Sequence, residues 1–436
     1  MKYLSALFFA IIVYSISLQA QVSVIPKPNE LKYTEGNFNF SKGLDVKVIR
    51  GDDGTKRLQK QLTDFIKNKK INIVPFGATA ISLNLAQTTE LPADGYSMVI
   101  TPNSVAITSS GNTGLFYALQ TLFQLMKSDS VKSIPCLEIK DIPAYTYRGM
   151  HLDVVHHFFG IDVIKQYLDA MAKLKLNQFH WQLADAKKWR LELKSDTTLT
   201  DKENYYTQEQ IKDVVKYAQE RFINIVPEFK FPVGTDSLYD IKKITDEVTA
   251  LFSGNYFHAG NGFTDKATLQ LLIAKNKKII GTDNLVSDKT VLLSYKNSKN
   301  GISAAAKGKD VIMAPRQLCS FDYYQDWDDE KKSFDMTFLP LDKSYTFSPA
   351  GKIKDNKTLQ HILGGEAYVS TEFIKNAETL EYQIFPRLVA FAECVWTSKS
   401  RKNFADFERR LKAQQNFFFK EKEMPKIDMV RIKPKK

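Results

Sequence analysis

Hydrophobic and polar positions follow two different periods along this chain. Between Val22 and Pro143, short runs with a period of two predict strands, and two longer runs with a period near 3.6 predict amphipathic helices. The predicted strands are LDVKVI, ISLNLA, GYSMVITPNSVAITSS and CLEIKD, and the predicted helices are TKRLQKQLTDFIKNKK and TGLFYALQTLFQLMK. This mixture, with no regular strand–helix alternation, predicts a small α+β domain.

After Tyr147 apolar strands alternate with amphipathic helices, and Thr207 and Gln210 are spaced as the capping box of one of these helices. Eight strands are predicted: RGMHLDV, LNQFHWQL, INIVPEF, YFHAG, KKIIG, TVLLSY, DVIMAP and HILGGEAYV. The segment LEYQIFPRLVAFAECVW predicts one closing helix. The pattern predicts an α/β fold, a (β/α)8 TIM barrel over residues 144–436 preceded by the α+β domain over residues 21–143.

The first 20 residues are expected to be a signal peptide and not part of the fold. Met1-Lys2 is a short basic start, the apolar run from Leu4 to Ile16 is too short to span a bilayer, and Ala20 ends a plausible cleavage signal. Gln21 follows in place of the cysteine that a lipid anchor needs. We expect a periplasmic or secreted protein with no membrane association after cleavage.

Charge and cysteine content remove several classes of protein. The formal net charge of +12 over 436 residues is spread over many lysines, and no nucleic-acid-binding module is recognisable, so no nucleic-acid partner is expected. The three cysteines, Cys136, Cys319 and Cys394, are odd in number and far apart, which argues against a disulfide framework. The oligomeric state is unknown at this point.

Two segments resemble one enzyme family. The run YRGMHLDVVHHFF, followed one helix later by LNQFHWQLADAKKWR, resembles the opening of the catalytic barrel of family 20 glycoside hydrolases, the β-N-acetylhexosaminidases. The earlier segments VIPKPNEL and DGYSMVITPNSVAITSSGNTGLFYALQTLFQL are similar to the small domain that precedes this barrel in the family. The resemblance implies substrate-assisted hydrolysis, in which the substrate's own acetamide oxygen attacks the anomeric carbon.

The family's catalytic pair is replaced in this chain. The resemblance implies a consecutive Asp-Glu after the fourth barrel strand, the Asp orienting the acetamide and the Glu protonating the leaving oxygen. Gly262 and Phe263 stand at these positions, and the nearest carboxylate is Asp265. A general acid contributes roughly a hundredfold to ten-thousandfold in rate, so no catalytic residue and little or no hydrolysis are expected.

Other positions around the acetamide have also changed. After the third strand, the resemblance implies an Asp-x-Pro-Gly-His turn, whereas this chain has Lys230 in place of the acid and Gly234 in place of the histidine. The family's pocket tryptophans and one tyrosine fall at Thr282, Tyr295, Ser370 and Ser320. Aromatic rings supply much of the contact energy of a sugar site, so binding at the cleaved residue is expected to be weakened.

The remaining polar positions match the family and are predicted to bind substrate. Arg148 is expected to hold sugar hydroxyls, and Asp322 and Glu372 to bind hydroxyls at the far side of the ring. Asp185, Glu228 and His258 match supporting polar groups. Alternatively, these groups are ion pairs that hold the barrel mouth together. His156 stands where the family has arginine.

The sequence gives little support to a metal centre or to a nucleophilic enzyme. Five of the six histidines lie in or just after the first, second and fourth barrel strands, but no His-Glu-x-x-His spacing occurs and the resemblance implies a metal-free family. No G-x-S-x-G motif is present either. No metal and no cofactor are therefore expected.

The sequence favours an exported, β-N-acetylhexosaminidase-like protein that binds amino-sugar glycans without cleaving them. One alternative is an active glycosidase on N-acetylhexosamine glycans with relocated acids. The candidate acids are Glu228, Asp185, Asp265, Asp322 and Glu372. The other alternative is a non-catalytic scaffold or partner-binding protein.

Overall fold

The computed structural model of the protein describes most of the chain after the predicted signal peptide. The described residues are 22–128, 130–185, 188–230, 238–258, 260, 266–282, 290–325 and 337–419. Within them, no helix is both long enough and apolar enough to cross a membrane.

A six-stranded sheet forms the first part of the molecule. Its strands are β1 (Glu30–Asn39), β2 (Leu44–Arg50), β3 (Thr79–Leu85), β4 (Tyr96–Ile100), β5 (Ser104–Ser109) and β6 (Ser133–Asp141). Their order is β1-β6-β4-β5-β3-β2, with β2, β3 and β5 mutually parallel and the other neighbours antiparallel. Two helices, α1 (Asp53–Asn68) and α2 (Asn112–Leu125), pack together and against this sheet. The predicted mixed α/β domain is confirmed.

Strand β1 was not predicted, because its alternation is interrupted. Its pairing register with β6 shifts between Tyr33 and Asn37, and several of its side chains are exposed. A bulge breaks the period of two that identifies a strand from sequence. Only the antiparallel pairing with β6 fixes this segment as an edge strand.

Eight parallel strands close into the predicted barrel. They are β7 (Tyr147–Asp153), β8 (Gln178–Ala184), β9 (Asn224–Phe229), β10 (Tyr256–His258), β11 (Lys278–Gly281), β12 (Thr290–Ser294), β13 (Val311–Met313) and β14 (Ile362–Ala367). Strand β14 pairs with β7 and so completes the ring. The TIM-like barrel expected from the alternation of strands and helices is confirmed.

The barrel helices follow the strands in sequence. They are α3 (Ile161–Lys173), α4 (Gln208–Gln219), α5 (Leu238–Leu251), α6 (Lys266–Ala274), α7 (Ser298–Ala306), α8 (Arg316–Cys319), α9 (Leu341–Tyr345), α10 (Asn356–Leu359), α11 (Ala377–Ile384), α12 (Arg387–Trp396) and α13 (Phe404–Phe419). The capping box at Thr207 and Gln210 is confirmed, with both reciprocal hydrogen bonds present. The prediction of one closing helix is wrong, because Phe385 is extended and Pro386 precedes a second helix. Proline cannot donate the backbone hydrogen bond that would continue α11.

The side chains that point into the barrel form two layers. The lower layer is mostly apolar, a cluster of Tyr147, Val226, Ile280, Val291, Leu293, Ile312 and Ala314. Further along the strands, the same inward face carries His151, four residues after Tyr147, and Glu228, two residues after Val226, in place of apolar side chains. The interior therefore changes from apolar to charged toward the carboxyl ends of the strands.

The base of the barrel is joined to the N-terminal domain by buried charged groups. Lys175, fully buried, donates hydrogen bonds to Thr121 (2.8 Å) and Tyr96 (3.2 Å) and lies 3.4 Å from Asp141. The Trp396 indole donates to the same Asp141 carboxylate at 3.0 Å. Burial is the main reason why the pKa of Lys175 falls to about 8.

The three cysteines are buried and unpaired, as their number and spacing indicated. Burial raises the pKa of Cys394 to about 11 and that of Cys319 well above its ordinary value. The thiolate form is therefore disfavoured at both positions. This fits cysteines that pack as small hydrophobic residues.

Candidate functional site

The carboxyl ends of the barrel strands carry a group of charged residues that we call the mouth cluster: Asp153, His156, Asp185 and Glu372. Asp153 ends β7 and is buried, and it accepts hydrogen bonds from the backbone N–H groups of Val155 (2.7 Å) and Thr371 (3.1 Å). Burial would raise its pKa, but the hydrogen bond with His156 and these backbone donors outweigh burial and lower it. Asp153 is therefore a fixed anion at the barrel mouth.

His156 is the basic side chain of the mouth cluster. Its Nδ1 is paired with Asp153 Oδ2, and its side chain is 44% exposed. The hydrogen bond with Asp153 raises the pKa of His156, and the charges of Glu372 and Asp185 raise it further. The residue that stands at the family's arginine position is therefore biased toward its charged form and accessible to a ligand.

Asp185 and Glu372 lie where the sequence placed them, just beyond the ends of β8 and β14. The Asp185 side chain accepts a hydrogen bond from the Lys188 backbone N–H at 2.8 Å. Glu372 is exposed. The structure brings both carboxylates close enough to His156 to influence its pKa. Their role in binding a ligand stays a prediction.

Asp322 lies in a second part of the mouth, among aromatic side chains. It is buried, and its charge contributes to raising the pKa of both Tyr295 and Tyr368, whose hydroxyl groups are hydrogen-bonded to each other. Burial is the larger cause, and it raises the pKa of Tyr295 to about 12. Tyr295 is thus an aromatic group at a position where the resemblance implies a tryptophan.

Deeper in the barrel, Glu228 and His258 belong to a buried group that we call the histidine–glutamate cluster: His151, His180, Glu228, His258 and Glu366. Strand register assembles it, because His151 pairs with His180 and His258 pairs with Glu228 on neighbouring strands. The Glu228 Oε2 atom lies 3.0 Å from His180 Nε2, 3.1 Å from His258 Nδ1 and 3.5 Å from His151 Nε2. A single carboxylate oxygen thus faces three imidazole rings.

The pKa values in the histidine–glutamate cluster are strongly displaced. Burial would raise the pKa of Glu228, but His258 and contacts from His151 and His180 outweigh burial and hold it well below its usual range. Burial would lower the pKa of His180, but Glu366 and Glu228 outweigh burial and raise it to about 10. Glu228 is therefore an anion and not a proton donor.

Glu366 belongs to this cluster and Tyr147 is hydrogen-bonded to it. Neither residue is among the site residues predicted from the sequence. Glu366 accepts a hydrogen bond from the Tyr147 hydroxyl at 2.6 Å and lies 2.8 Å from His180 Nδ1. Gly149 leaves room for this contact, since a Cβ atom there would lie 2.6 Å from the Tyr147 ring and 2.9 Å from Glu366 Oε2. The spacing of Tyr147, Gly149 and His151 by two residues was the available signal, because alternate residues of a strand share a face.

Arg148 does not lie at the barrel mouth, and its predicted role requires correction. It is the second residue of β7, at the amino-terminal end, and is fully buried. Its guanidinium donates to the backbone carbonyls of Lys175 and Tyr145 and to the Tyr117 hydroxyl, so it joins the barrel base to α2. Ligand sites in such barrels lie at the carboxyl ends of the strands, so this position does not suit sugar binding.

Gly262, Phe263 and Asp265 lie outside the described residues, as does Gly234. Lys230 is described, and its backbone N–H donates to the carbonyl of Ala184 at 3.3 Å. Ser320 is one of the positions where the resemblance implies an aromatic residue. Its backbone forms an isolated β-bridge with Tyr368.

Three of the buried carboxylates in the barrel are unsuited to donating a proton. Asp153, Glu228 and Glu366 all have lowered pKa values and so cannot act as protonated general acids near neutral pH. The mouth cluster presents a partly exposed cation beside an exposed carboxylate, which together can donate to and accept from sugar hydroxyls. Among the described residues, His151, His180 and Glu228 form the one group whose donor atoms could together hold a metal ion.

The sequence is similar to hexosaminidases along most of its length. A β-hexosaminidase of Porphyromonas gingivalis is 29% identical over an alignment that covers 89% of this chain and 62% of the relative. A β-hexosaminidase of Vibrio furnissii is 26% identical, with 86% and 76% of the two chains covered. The chain thus spans less than two thirds of the Porphyromonas relative.

The fold is shared with solved structures of the same class. The exo β-N-acetylglucosaminidase of Vibrio harveyi, solved in complex with N-acetylglucosamine, is 25% identical, with 90% of this chain and 76% of that chain covered and a TM-score of 0.80. The chitobiase of Flavobacterium johnsoniae has the same fold, with a TM-score of 0.78 at 24% identity and coverage of 94% and 74%.

Two family descriptions together match most of the chain. Residues 145–241 and 270–399 match the catalytic domain of glycosyl hydrolase family 20, and residues 21–142 match domain 2 of that family. The interval 242–269 between the two catalytic-domain matches contains Gly262 and Phe263. The chain belongs to glycosyl hydrolase family 20.

Proposed function

We propose that this protein is an exported member of the family that binds glycans containing N-acetylhexosamine at the barrel mouth without hydrolysing them. The observation that carries the proposal is a contrast between the charged groups described at the mouth and the residues that the sequence has at the positions of the acidic pair. His156, Asp185 and Glu372 keep a charged, partly exposed surface there, whereas the positions of the acidic pair hold Gly262 and Phe263.

The loss of hydrolysis is argued from the chemistry of the missing groups. Glycine and phenylalanine cannot transfer a proton to a leaving oxygen, and neither can hold the acetamide by a charge. In the Vibrio harveyi relative, substitution of one aspartate by alanine produces an inactive enzyme. This supports a requirement for a carboxylate in the family's chemistry.

The ligand class is argued from the relatives and from the retained hydroxyl-binding chemistry. The Vibrio harveyi structure contains N-acetylglucosamine. Here the cation His156 and the carboxylates Asp185 and Glu372 offer donors and acceptors for hydroxyl groups, and Tyr295 offers an aromatic ring. Export rests on the basic and apolar N-terminal segment Met1 to Ala20.

A hydrolase with relocated acids is the competing function. Glu228, one of its candidate acids, is surrounded by three histidines and has a strongly lowered pKa, so it holds no proton to donate. Hydrolysis by the purified protein that is lost in one of the single variants Glu228→Gln, Asp185→Asn, Asp265→Asn, Asp322→Asn or Glu372→Gln would establish this function. Unchanged activity in all five would eliminate it.

The first test measures turnover of a chromogenic N-acetylglucosaminide. We expect none above background for the natural protein. The double variant Gly262→Asp with Phe263→Glu restores both carboxylates in sequence, and measurable turnover in that variant alone would indicate that the rest of the site is still competent. Turnover by the natural protein that falls when Glu372 is changed to Gln would refute the proposal.

The second test measures binding by calorimetry with N-acetylglucosamine oligosaccharides. We expect saturable binding that Glu372→Gln weakens and that the matched control Glu90→Gln, an exposed glutamate of the N-terminal domain, leaves unchanged. The absence of saturable binding to any amino-sugar glycan on an array would reject the ligand and would favour a scaffold or partner-binding role.

A further inference from the structure

We propose that His151, His180 and Glu228 form a binding site for a divalent transition-metal ion of the zinc type inside the barrel, with His258 available as a fourth ligand. The site is separate from the mouth cluster, so it does not depend on the proposed glycan binding. The three residues come from three consecutive strands, β7, β8 and β9.

The donor atoms are close enough for one ion. One nitrogen or oxygen from each of the three residues lies within 4.8 Å of the others. Zinc binds imidazole nitrogen and carboxylate oxygen at about 2.0–2.2 Å, so two of its ligand atoms can be roughly 4 Å apart. Small side-chain rotations are therefore enough to bring the three donors onto a common ion.

Several buried nitrogen atoms in this group have no proper hydrogen-bond partner among the described residues. They are His151 Nδ1, His180 Nε2 and both ring nitrogens of His258. His180 Nε2 and His258 Nδ1 are near Glu228 Oε2, but their approach does not meet hydrogen-bond geometry. Buried polar atoms are nearly always satisfied, so this many unsatisfied atoms in one place indicates a missing partner. A cation could accept a lone pair from one nitrogen of each ring, which would satisfy part of this group.

The groups behind His180 have the arrangement that supports metal-binding histidines. Its second nitrogen, Nδ1, lies 2.8 Å from Glu366 Oε1, and Tyr147 donates to the other Glu366 oxygen at 2.6 Å. A carboxylate that accepts the Nδ1–H of a histidine fixes its tautomer and directs Nε2 at the metal. Nε2 of His180 is the atom that faces Glu228.

The chemical types of the three ligand groups indicate which class of metal ion would bind. Two imidazoles with one carboxylate suit zinc and other first-row transition ions, whereas magnesium and calcium prefer sites made of oxygen ligands. Three protein ligands also leave a position for His258 or for a water molecule. We therefore name Zn²⁺ and its spectroscopic substitute Co²⁺ as the probes.

The competing description is a metal-free network held together by protons. In that case His180 would remain an imidazolium ion between Glu228 and Glu366, and an added metal would not bind. The two descriptions differ in whether the folded protein binds a metal stoichiometrically, which can be measured without any assay of activity.

The test uses purified protein that has been treated with a chelator and then titrated with Zn²⁺ by calorimetry. We expect one ion per chain in the natural protein. His151→Gln removes a ligand whose Nδ1 atom has no hydrogen-bond partner among the described residues. This variant should weaken binding by roughly a hundredfold or more. Glu366→Gln removes no metal ligand but alters the support of His180, and it should weaken binding by about 10–100-fold. His361→Gln, which changes a partly exposed histidine paired with Asp310, is the matched control and should bind as tightly as the natural protein.

Titration with Co²⁺ provides a second measurement that needs no variant. Intense visible absorption, saturating at one equivalent and lost on addition of Zn²⁺, is expected for cobalt held by histidine nitrogens at low coordination number. The proposal is overturned if the natural protein shows no saturable binding of either ion, or if folded His151→Gln binds Zn²⁺ as tightly as the His361→Gln control. If His151→Gln does not fold, the Co²⁺ spectrum of the natural protein decides the question.

Discussion

Two basic side chains at opposite ends of the barrel show opposite pKa shifts. Lys175, at the base, is fully buried, and burial lowers its pKa to about 8 even though Asp141 lies 3.4 Å away. His156, at the mouth, is partly exposed, and the carboxylate of Asp153 raises its pKa, with smaller contributions from Glu372 and Asp185. At the base desolvation outweighs attraction, whereas at the mouth attraction outweighs desolvation.

The charged side chains at the two ends of the barrel are expected to serve different purposes, stability at the base and ligand binding at the mouth. At the base, Arg148 and Lys175 are fully buried and donate to groups of the N-terminal domain and the barrel. At the mouth, Glu372 is exposed and His156 is partly so. Changes at the base should therefore affect stability, and changes at the mouth should affect binding.

The largest effect is expected from Arg148→Ala. It removes the donor to two buried carbonyl groups and to the Tyr117 hydroxyl, and we expect a loss of roughly 3–5 kcal/mol in the free energy of unfolding, as for other broken buried charge networks. Urea unfolding measures this loss in the free energy of unfolding. The control Arg409→Ala removes an exposed pair with Asp406 and should cost less than about 1 kcal/mol. If Arg148→Ala keeps full stability but loses glycan binding, then the base of the barrel serves binding and not stability, contrary to this prediction.

The second prediction concerns Lys175 and pH. The folded pKa of about 8 lies below the value near 10.4 of an unfolded lysine, so below pH 8 both states are protonated and the cost of burying the charge is complete. As pH rises from 8 to about 10.4 the folded state alone releases its proton, and the natural protein should gain on the order of 3 kcal/mol relative to Lys175→Met.

The measurement is urea unfolding of both proteins at several pH values between 7 and 10. Lys56→Met, which changes an exposed lysine of α1, should differ from the natural protein by a constant amount over the same range. A constant difference for Lys175→Met as well would mean that burial does not control its charge.

A smaller effect is expected at the mouth from Glu372→Gln. Loss of one charge-assisted hydrogen bond to a sugar hydroxyl should weaken glycan affinity by roughly tenfold. Because Glu372 is exposed, the free energy of unfolding should change by less than about 0.5 kcal/mol. Calorimetry and urea unfolding on the same preparation test both statements, and a variant that loses stability in place of affinity contradicts them.

The smallest effect concerns the charge of His156. Asp153→Asn should lower the pKa of His156 toward the ordinary value near 6.5, which an NMR titration of its ring protons measures. Because the folded pKa is raised, the contribution of this pair to stability is complete below about pH 6.5 and is lost as pH rises through the folded value; partial exposure keeps it under about 1 kcal/mol. An unchanged titration of His156 would show that Asp153 does not control it, and His361 is the internal reference.

Most of the fold could be predicted from local pattern. The period-two strands, the amphipathic helices and the capping box at Thr207 and Gln210 are short-range features, and each appears where the sequence placed it. The exceptions include β1, whose bulge hides its period, the predicted strand over residues 95–110, which forms the two strands β4 and β5, and the closing helix, which is broken before Pro386. The residue before a proline is disfavoured in the helical region, so the long apolar run forms two helices.

The site was predicted less well than the fold. Asp185 and Glu372 follow strand ends, so their places at the mouth could be inferred. Arg148 was assigned to the mouth although it begins a strand, and position along a strand decides at which end of the barrel a side chain lies. No local pattern connects His151 with Glu366, because 215 residues separate them in the sequence. Only the pairing of β14 with β7 brings their strands together.

The sequence by itself determined the family and the order of strands and helices, because these depend only on which residues follow one another. Tertiary structure alone decided which charges meet. Closing eight strands into a ring places His151, His180 and Glu228 together in the interior and sends Arg148 to the base. Burial and charge at those places then set pKa values that differ between the buried base of the barrel and its exposed mouth.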